Sequence, residues 1–213
     1  MKTRVVVIGG GGHAAVCIDV LELVGLEVVG YLAPNKSSLH VPYLGTDNGI
    51  GLFAGEDVAF FCAIGDNRIR AGLMETASGD GFDFVSAIHP SSVMARSASV
   101  EPGAVVMPGA VVGVRAVVGG GAIINTASSV DHDCVVNGFA HIAPGVHLAG
   151  NVHVGEGALI GVGASITPGV KVGSWSIVGA GSVVVRDVAP GQIVVGSPAT
   201  PLQTKSSKGD VVS

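Results

Sequence analysis

Aromatic and charged side chains are both scarce in this chain of 213 residues. Aromatic residues make up 4% and charged residues 13%, whereas 34 residues are glycine. The net charge of −5 gives no electrostatic reason to expect binding to nucleic acid. Low charge with abundant glycine and valine instead favours strands that face inward or stack on partners.

Long uninterrupted apolar runs are also missing, although the chain is apolar on average. Every window of 18 residues contains glycine, proline or a charge, so we expect no membrane-spanning helix. The three cysteines, Cys17, Cys62 and Cys134, are scattered and odd in number. They argue against a disulfide framework and for a cytoplasmic protein. The N-terminus leads directly into a strand and a glycine loop, so we expect no signal sequence.

What the chain has in abundance is a period of six. The aliphatic positions of this period are Val100, Val106, Val112, Val118, Ile124, Val130, Val136, Ile142, Leu148, Val154, Ile160, Ile166, Val172, Val178 and Val184. A small residue follows each of them by four positions, from Ala104 to Val188. This strict period indicates a repeat architecture, and a multiple of two suits short strands with corners rather than a helix.

The repeat predicts a parallel β-solenoid, in which three six-residue units close a triangular coil of eighteen residues. The aliphatic side chain would fill the prism, and the small residue would fit where the chain bends. Pairs such as Pro102-Gly103 would supply the turns. Fifteen units make five coils, and Met94 is in register for a partial coil before them.

The N-terminal segment reads as a nucleotide-binding βαβ unit. Arg4 to Ile8 is a buried strand, Gly9 to His13 is a glycine turn, and Ala14 to Val24 has helical spacing. Such a turn lets the backbone and a helix N-terminus approach a phosphate. The second strand, Leu26 to Leu32, ends without the acidic residue that an NAD site needs. A nucleotide-sugar diphosphate is therefore favoured, and a turn used only for packing is the alternative.

Further along, we expect a third strand over Val58 to Ile64, a helix cap at Gly65 to Arg68 with a helix to about Ser78, and a fourth strand over Phe82 to Ile88. The predicted domains are a nucleotide-binding domain at 1–88, the solenoid at 89–202 and a disordered tail at 203–213.

Asp131-His132-Asp133 interrupts a region otherwise rich in valine, alanine and glycine. A histidine oriented by a carboxylate suits the role of proton acceptor in catalysis. His132 would be the general base and Asp133 its partner. Two alternatives remain: a solvated polar corner, and a histidine that only positions an amine that is already neutral.

His141, His147 and His153 are six residues apart, which suggests a metal site at first sight. In a triangular coil, however, residues six apart lie on three different faces, and only residues about eighteen apart stack. One chain cannot bring these three to one ion, so we expect no metal. His147 and His153 read as ordinary corner residues.

Three motifs, Gly11-Gly12-His13, Ile64-Gly65-Asp66-Asn67 and Ile88-His89-Pro90, together with the repeats, resemble one family. These are the hexapeptide-repeat sugar-nucleotide N-acetyltransferases related to sialic acid O-acetyltransferases, from O-antigen, glycoprotein and surface-polysaccharide pathways. The resemblance covers residues 4–202. It implies an α/β Rossmann-like domain followed by a left-handed parallel β-helix, and a homotrimer with acetyl-CoA between neighbouring solenoids.

The resemblance also implies roles for particular residues. Catalytic positions would be His132, Asp133 (where glutamate is commoner) and Asn125. Acetyl-CoA would contact His141, Gly150, whose N–H would face the thioester carbonyl, Gly161, Val162, Gly179 and Ala180. The nucleotide sugar would contact Gly11, Gly12, His13, Ala33, Pro34 and Gly65.

Two positions depart from the family pattern. Ala33-Pro34 stands where UDP-amino-sugar relatives often have an acidic pair, which leaves room for a GDP sugar such as GDP-perosamine. Thr200 stands where a lysine usually follows the closing Gly-x-Pro-Ala motif, so a cofactor phosphate contact is expected to be missing. The leading hypothesis is N-acetylation of a nucleotide-linked amino sugar by direct attack of the amine. A sugar O-acetyltransferase and a non-catalytic nucleotide-sugar-binding solenoid are the alternatives.

Overall fold

The computed structural model describes residues 3–202, apart from the side chains of residues 47 and 48, and the predicted tail lies outside this range. The chain begins with an α/β domain. The elements are β1 (Arg4–Ile8), α1 (Gly12–Leu23), β2 (Glu27–Leu32), β3 (Tyr43–Gly45), a 3-10 helix (Asp47–Phe53), β4 (Ala59–Cys62) and α2 (Asn67–Gly79). The four strands are parallel in the order β3-β2-β1-β4. The predicted βαβ start is confirmed, and β3 is an additional edge strand.

The two helices of this domain begin in different ways. Helix α2 follows Asp66, whose carboxylate accepts hydrogen bonds from the backbone N–H groups of Arg68 and Ile69, so the predicted cap is confirmed. Helix α1 follows Gly11, which has no side chain to cap it. The first N–H groups of α1 therefore have no side-chain acceptor at the cap, which suits an anionic ligand.

The rest of the chain is a column of short strands. They are β5 (Ala87–Ile88), β6 (Val93–Met94), β7 (Ser99–Val100), β8 (Val105–Val106), β9 (Val111–Val112), β10 (Val117–Val118), β11 (Ile123–Ile124), β12 (Ser129–Val130), β13 (Val135–Val136), β14 (His141–Ile142), β15 (His147–Leu148), β16 (His153–Val154), β17 (Leu159–Ile160), β18 (Ser165–Ile166), β19 (Lys171–Val172), β20 (Ile177–Val178), β21 (Val183–Val184), β22 (Ile193–Val195) and β23 (Thr200–Pro201).

These strands form three sheets along the sides of the prism. Sheet I contains β5, β8, β11, β14, β17, β20, β22 and β23; sheet II contains β6, β9, β12, β15, β18 and β21; sheet III contains β7, β10, β13, β16 and β19. From β5 to β21, each strand residue pairs in parallel with the residue eighteen positions on, as Ile124 does with Ile142. At the end of sheet I, Ile177 pairs with Ile193, sixteen positions on, and β23 is antiparallel to β22. The predicted triangular coil of eighteen residues is confirmed, and about six turns of it are present.

The period of six fills the prism as predicted. The aliphatic positions from Val106 to Val184 are all buried in one core, and Val100 packs against it. The small positions are buried as well, including Cys134. The hydroxyl of Ser128, one of these small residues, donates to the Asn125 carbonyl, so this polar atom in the core has a partner.

The solenoid begins earlier than the repeat count predicted. We expected one strand over Phe82 to Ile88 in the α/β domain. Instead, Phe84 makes only an isolated bridge to Phe60, and Ala87–Ile88 pairs with β8 of the solenoid. The reason is that Ile88 already continues the inward period of six and packs against the core of the prism.

The chain turns at each corner through one residue with positive φ, and these residues recur every six positions from Gly103 to Gly181. Glycine adopts this conformation without strain, whereas other residues do so at a cost. Six corners nevertheless carry a side chain at this position: Arg115, Ala127, Asp133, Phe139, Asn151 and Trp175.

The α/β domain covers only the first strands of sheet I, β5, β8 and β11, which form its upper part. Helix α1 packs on outward-facing Ala87, Val105 and Ile123, all of which are buried. The next outward residues down the same sheet are His141 and Leu159, both half-buried, and Ile177, which is exposed. The lower half of sheet I is therefore open to ligands directly below the α/β domain. Within residues 3–202, no helix is long and apolar enough to cross a membrane.

Candidate functional site

His132 and Asp133 lie at the corner between sheets II and III, where they form a hydrogen-bonded chain with an arginine. The Asp133 carboxylate is 2.8 Å from Nδ1 of His132. The same carboxylate accepts two hydrogen bonds from Arg115, at 2.6 Å from Nε and 2.8 Å from a terminal nitrogen. Arg115 lies one full coil before Asp133, so the stacking of corners brings the pair together.

The carboxylate determines which nitrogen of the neutral His132 ring carries the proton. Hydrogen bonds from Arg115 and then from His132 lower the pKa of Asp133 to about 2, so it is ionised at neutral pH. An ionised carboxylate can only accept, and therefore Nδ1 of His132 carries a proton and donates it. In the neutral ring, Nε2 is then left with its lone pair. This is the arrangement that a general base requires.

Gly150 lies one coil after His132 at the same corner, and the His132 ring lies directly against it. A Cβ added at Gly150 would come within 2.5 Å of the ring atoms Cε1 and Nε2. A glycine is therefore needed for the ring to hold this position. Within the described residues, the Gly150 N–H donates to no acceptor, so it is free to meet an oxyanion beside Nε2.

Asn125 and His141 lie elsewhere, at the end of sheet I next to the corner between sheets I and II. The Asn125 side-chain oxygen accepts from the Thr126 N–H, which directs its amide nitrogen to Nε2 of His141 at 3.0 Å. Burial, followed by the charge of Arg70 and the proximity of His13, lowers the pKa of His141 to about 4, while the Gly65 carbonyl opposes this shift. His141 is therefore neutral, with Nε2 as an acceptor.

The remaining predicted cofactor residues continue down the corner between sheets I and II. Gly161 and Gly179 follow Asn125 at spacings of two and three coils, and Val162 and Ala180 come directly after them with exposed side chains. A Cβ added at Gly161 would meet the backbone nitrogen of Ala180 at 2.6 Å. This flat surface, together with Asn125 and His141, forms one continuous group.

The predicted substrate residues of the α/β domain lie at the carboxyl ends of its strands. Gly11 and Gly12 have open space around them, and His13, in the first turn of α1, is half-buried. Burial and then Arg70 lower the pKa of His13 to about 4. Ala33 differs from the expectation of an accessible contact, because it is buried beneath the glycine turn, where a Cβ on Gly10 would approach its own Cβ to 2.9 Å. Pro34 is exposed.

The two solenoid groups are not brought together within one chain. His132 and His141 are nine residues apart, which is half of a coil. His132 lies at the corner between sheets II and III, whereas His141 begins β14 of sheet I. The eighteen-residue coil predicts this separation, because residues nine positions apart are half a coil from each other.

Arg70 is a residue that sequence reasoning missed. Its side chain is 1% exposed and lies in the seam between α2 and the solenoid. It donates to the carbonyls of Ile64, Gly65, Gly121 and Phe139 and to the side-chain oxygen of Asn67. Asn67 in turn donates to the carbonyls of Gly157 and Ala158. An arginine on a short helix is usually solvated, so no local pattern indicates this role.

This seam forms the upper wall of a cleft of about 480 Å³. The loop at 65–68 lines one side of the cleft, and the exposed part of sheet I lines the other, from His141 to Ile177. Gly65, predicted to meet the nucleotide sugar, and Gly161 and Val162, predicted to meet the cofactor, therefore line one cleft.

The three regularly spaced histidines are on three different sheets, as predicted. They begin strands β14, β15 and β16, so His147 and His153 lie on strands rather than at corners. Among the residues that the structure describes, no group of three histidine, cysteine or acidic side chains is arranged to hold a metal ion.

Two family models match the chain in the regions just described. Residues 4–77 match the PglD N-terminal domain, and residues 151–186 match the bacterial transferase hexapeptide model of six repeats.

Solved structures match over nearly the whole chain. PerB, the perosamine N-acetyltransferase from Caulobacter crescentus, in complex with CoA and GDP-perosamine, is 42% identical with a TM-score of 0.91, over 95% of this chain and 99% of that one. The acetyltransferase domain of PglB from Neisseria gonorrhoeae, in complex with acetyl coenzyme A, is 38% identical with a TM-score of 0.90, over 95% and 100%. WeeI from Acinetobacter baumannii is 25% identical with a TM-score of 0.82, over 94% and 100%.

The column of coils is accordingly a left-handed β-helix. The chain belongs to the hexapeptide-repeat sugar-nucleotide N-acetyltransferases, and it is an acetyl-CoA-dependent acetyltransferase.

Proposed function

We propose that the chain transfers the acetyl group of acetyl-CoA to the amine of a GDP- or UDP-linked amino sugar. The observation that carries this proposal is the match to PerB over the full length of both chains, nucleotide domain and solenoid alike. The α/β domain holds the nucleotide, and the solenoid holds the acyl donor. GDP-perosamine is the first acceptor to test, because Ala33-Pro34 lacks the acidic pair of UDP-sugar relatives.

The proposed reaction is a single direct transfer. The amine nitrogen attacks the thioester carbon, its proton passes to Nε2 of His132, and the carbon–sulfur bond breaks as the CoA sulfur leaves. The protonated His132 then returns the proton to that sulfur, so that the products are the amide and CoA thiol. The Gly150 N–H stabilises the oxyanion of the intermediate. Asp133, ionised and fixed by Arg115, holds the ring and stabilises its charged form.

The diphosphate of the acceptor binds at the start of α1. The support is that Gly11 and Gly12 have no neighbours that would block a ligand, and that the helix N-terminus has no side-chain cap. Backbone N–H groups and the helix dipole favour a phosphate at such a position.

The working site contains residues of two chains of a homotrimer. The support is the separation of the two groups: His132, Asp133 and Gly150 at one corner, Asn125 and His141 at another. A neighbouring solenoid that packs beside sheet II would bring the first group of one chain to the second group of the next. Acetyl-CoA then lies between the two chains, along Gly161, Val162, Gly179 and Ala180.

The function is tested by mass spectrometry of the products from acetyl-CoA and a panel of GDP- and UDP-linked amino sugars, with the corresponding hydroxy sugars as a second arm. The expected product is an amide of one amino sugar. His132→Asn should lower kcat by about 10² to 10⁴, the range of general base catalysis, while His40→Asn, an exposed histidine of the α/β domain, should leave it unchanged. Acetylation of hydroxy sugars alone would establish the O-acetyltransferase instead. If His132→Asn and Asp133→Asn both turned over at the wild-type rate, this mechanism would be excluded.

The shared site is tested by mixing two inactive variants, His132→Asn and Asn125→Ala, by joint refolding. Random assembly into closed rings should restore about a quarter of the wild-type activity, because one site in four combines intact halves. Absence of recovery in mixed trimers, whose assembly is checked by light scattering, would place the whole site in one chain.

A further inference from the structure

The cleft below the α/β domain contains one cationic side chain that nothing so far explains. Arg68, in the first turn of α2, lines the cleft opposite Val162 and Ile177. Its guanidinium carbon is 4.5 Å from the centre of the Trp175 ring, so the planar group is held over the aromatic face. The rest of the wall is mostly apolar.

The donors of this guanidinium are available to a ligand. Within residues 3–202, Arg68 makes no side-chain hydrogen bond and no ion pair, and the residue is exposed. The one carboxylate of the wall, Asp66, is engaged as the cap of α2, with Oδ1 at 2.9 Å from two backbone nitrogens. Arg70, by contrast, spends its guanidinium donors on carbonyl and amide oxygens. Arg68 is therefore the cation of the cleft that can still bind an anion.

Trp175 occupies a position that normally belongs to glycine. Its φ is 58°, and it stands two coils below Phe139 in the series of corner residues. A residue other than glycine in this conformation costs roughly 1–3 kcal/mol. Its ring lies flat against Gly157, where an added Cβ would meet ring atoms at 2.3 Å. Gly157 therefore leaves room for the Trp175 ring, which forms part of the wall of the cleft.

We propose that Arg68, held flat on Trp175, is a phosphate-binding subsite of this cleft. The aromatic ring fixes the plane of the guanidinium, so the fork of donors is ordered before a ligand arrives, and phosphate oxygens match that fork. The subsite rests on the proposed function, since that function supplies two phosphate-bearing ligands, CoA and the nucleotide sugar. Arg68 would supply a cation for phosphate in a chain that has Thr200 where a lysine usually follows the closing Gly-x-Pro-Ala motif.

The experiment is titration calorimetry of CoA and of GDP, each alone, with the intact protein in the His132→Asn background. Arg68→Gln should weaken one of the two ligands about tenfold and reduce the salt dependence of its Kd, while the other ligand is unaffected. Trp175→Gly removes the ring but suits the positive φ of the corner, so it should fold and show the same selective loss. Arg96→Gln, an exposed arginine at another corner, is the matched control.

Weaker binding of CoA assigns the subsite to the coenzyme, and weaker binding of GDP assigns it to the acceptor. Either result supports the proposal. Unchanged affinity for both ligands in Arg68→Gln would overturn it. Because binding is measured without turnover, this outcome is separate from a failure of the proposed function, in which wild type binds both ligands but acetylates no amino sugar.

Discussion

Two arginines hold their neighbours in place by different means, Arg70 in the seam between α2 and the solenoid and Arg115 at the corner between sheets II and III. Arg70 is buried, and its partners are neutral oxygens; burial lowers its pKa to about 10. Arg115 is exposed and pairs with the ionised Asp133. The buried cation fixes two domains against each other and acts on His13 and His141 through its charge. The exposed one acts through contact with a single carboxylate.

The largest effect is expected at Arg70. Arg70→Met would leave the carbonyls of Ile64, Gly121 and Phe139 without their donor, and we expect the free energy of unfolding to fall by about 3–5 kcal/mol. Arg70→Lys keeps the charge but has fewer donors, so its loss should be smaller. Urea denaturation measures both. Arg96→Met, exposed, should change stability by less than about 0.5 kcal/mol, and an equal effect in Arg70→Met would contradict the anchoring role.

The charge and burial of the seam also predict an acid sensitivity. His13 and His141 have pKa values lowered to about 4, whereas an unfolded histidine titrates near 6.5. Between these values the unfolded chain binds more protons than the folded one, so the free energy of unfolding falls as the pH drops from about 6.5 to 4. The expected loss is on the order of 2 kcal/mol per histidine. Urea titrations across this range measure it, and His141→Gln should flatten the slope. An identical slope in that variant would refute the assignment.

At the exposed corner the expected effect is smaller and falls on rate. Arg115→Gln removes the stronger partner of Asp133, whose pKa then rises toward its usual range, and the His132 ring is held less firmly. We expect kcat to fall about tenfold, with the KM for acetyl-CoA unchanged. Steady-state kinetics with the best acceptor measure this, and Arg96→Gln should behave as wild type. A loss confined to KM would show that Arg115 serves binding instead.

The smallest effect is expected on the free energy of unfolding, at two corner residues with positive φ. Ala127 has a φ of 54° and is exposed. Ala127→Gly should therefore stabilise the fold by about 0.5–1 kcal/mol. Gly145, one coil on at the same corner, has a φ of 67° and open space around it, so Gly145→Ala should destabilise by a similar amount. Thermal unfolding compares the two, and effects of the same sign would disprove strain as the cause.

The period of six predicted the coils because it reports a contact that repeats, an inward aliphatic residue against the one eighteen positions away. It could not show where the column starts, since Ile88 looks equally like the end of a strand in the α/β domain. The pair His132–Asp133 was visible because polar residues stand out among valines. Arg115 and Arg68 were not, because their roles depend on a partner one coil away or on another domain.

The contact between Arg70 and Phe139 also could not be predicted from the sequence. The seam joins α2 to corners that are about 50 to 70 residues further along the chain, at Gly121 and Phe139. No local pattern connects these segments, so only the assembled structure reveals that a helix of the nucleotide domain lies along one edge of the prism.

The corner residue with positive φ also bears on how such a column can change its length. Every coil of eighteen residues presents the same three turning points in the same orientation, so removal or duplication of one whole coil leaves the vertical neighbours at each edge correctly aligned. A cut of six or twelve residues would instead rotate every later side chain to a different edge and separate groups such as Arg115 and Asp133. Growth of the molecule by complete turns is thus permitted by the framework, and growth by single repeats is not.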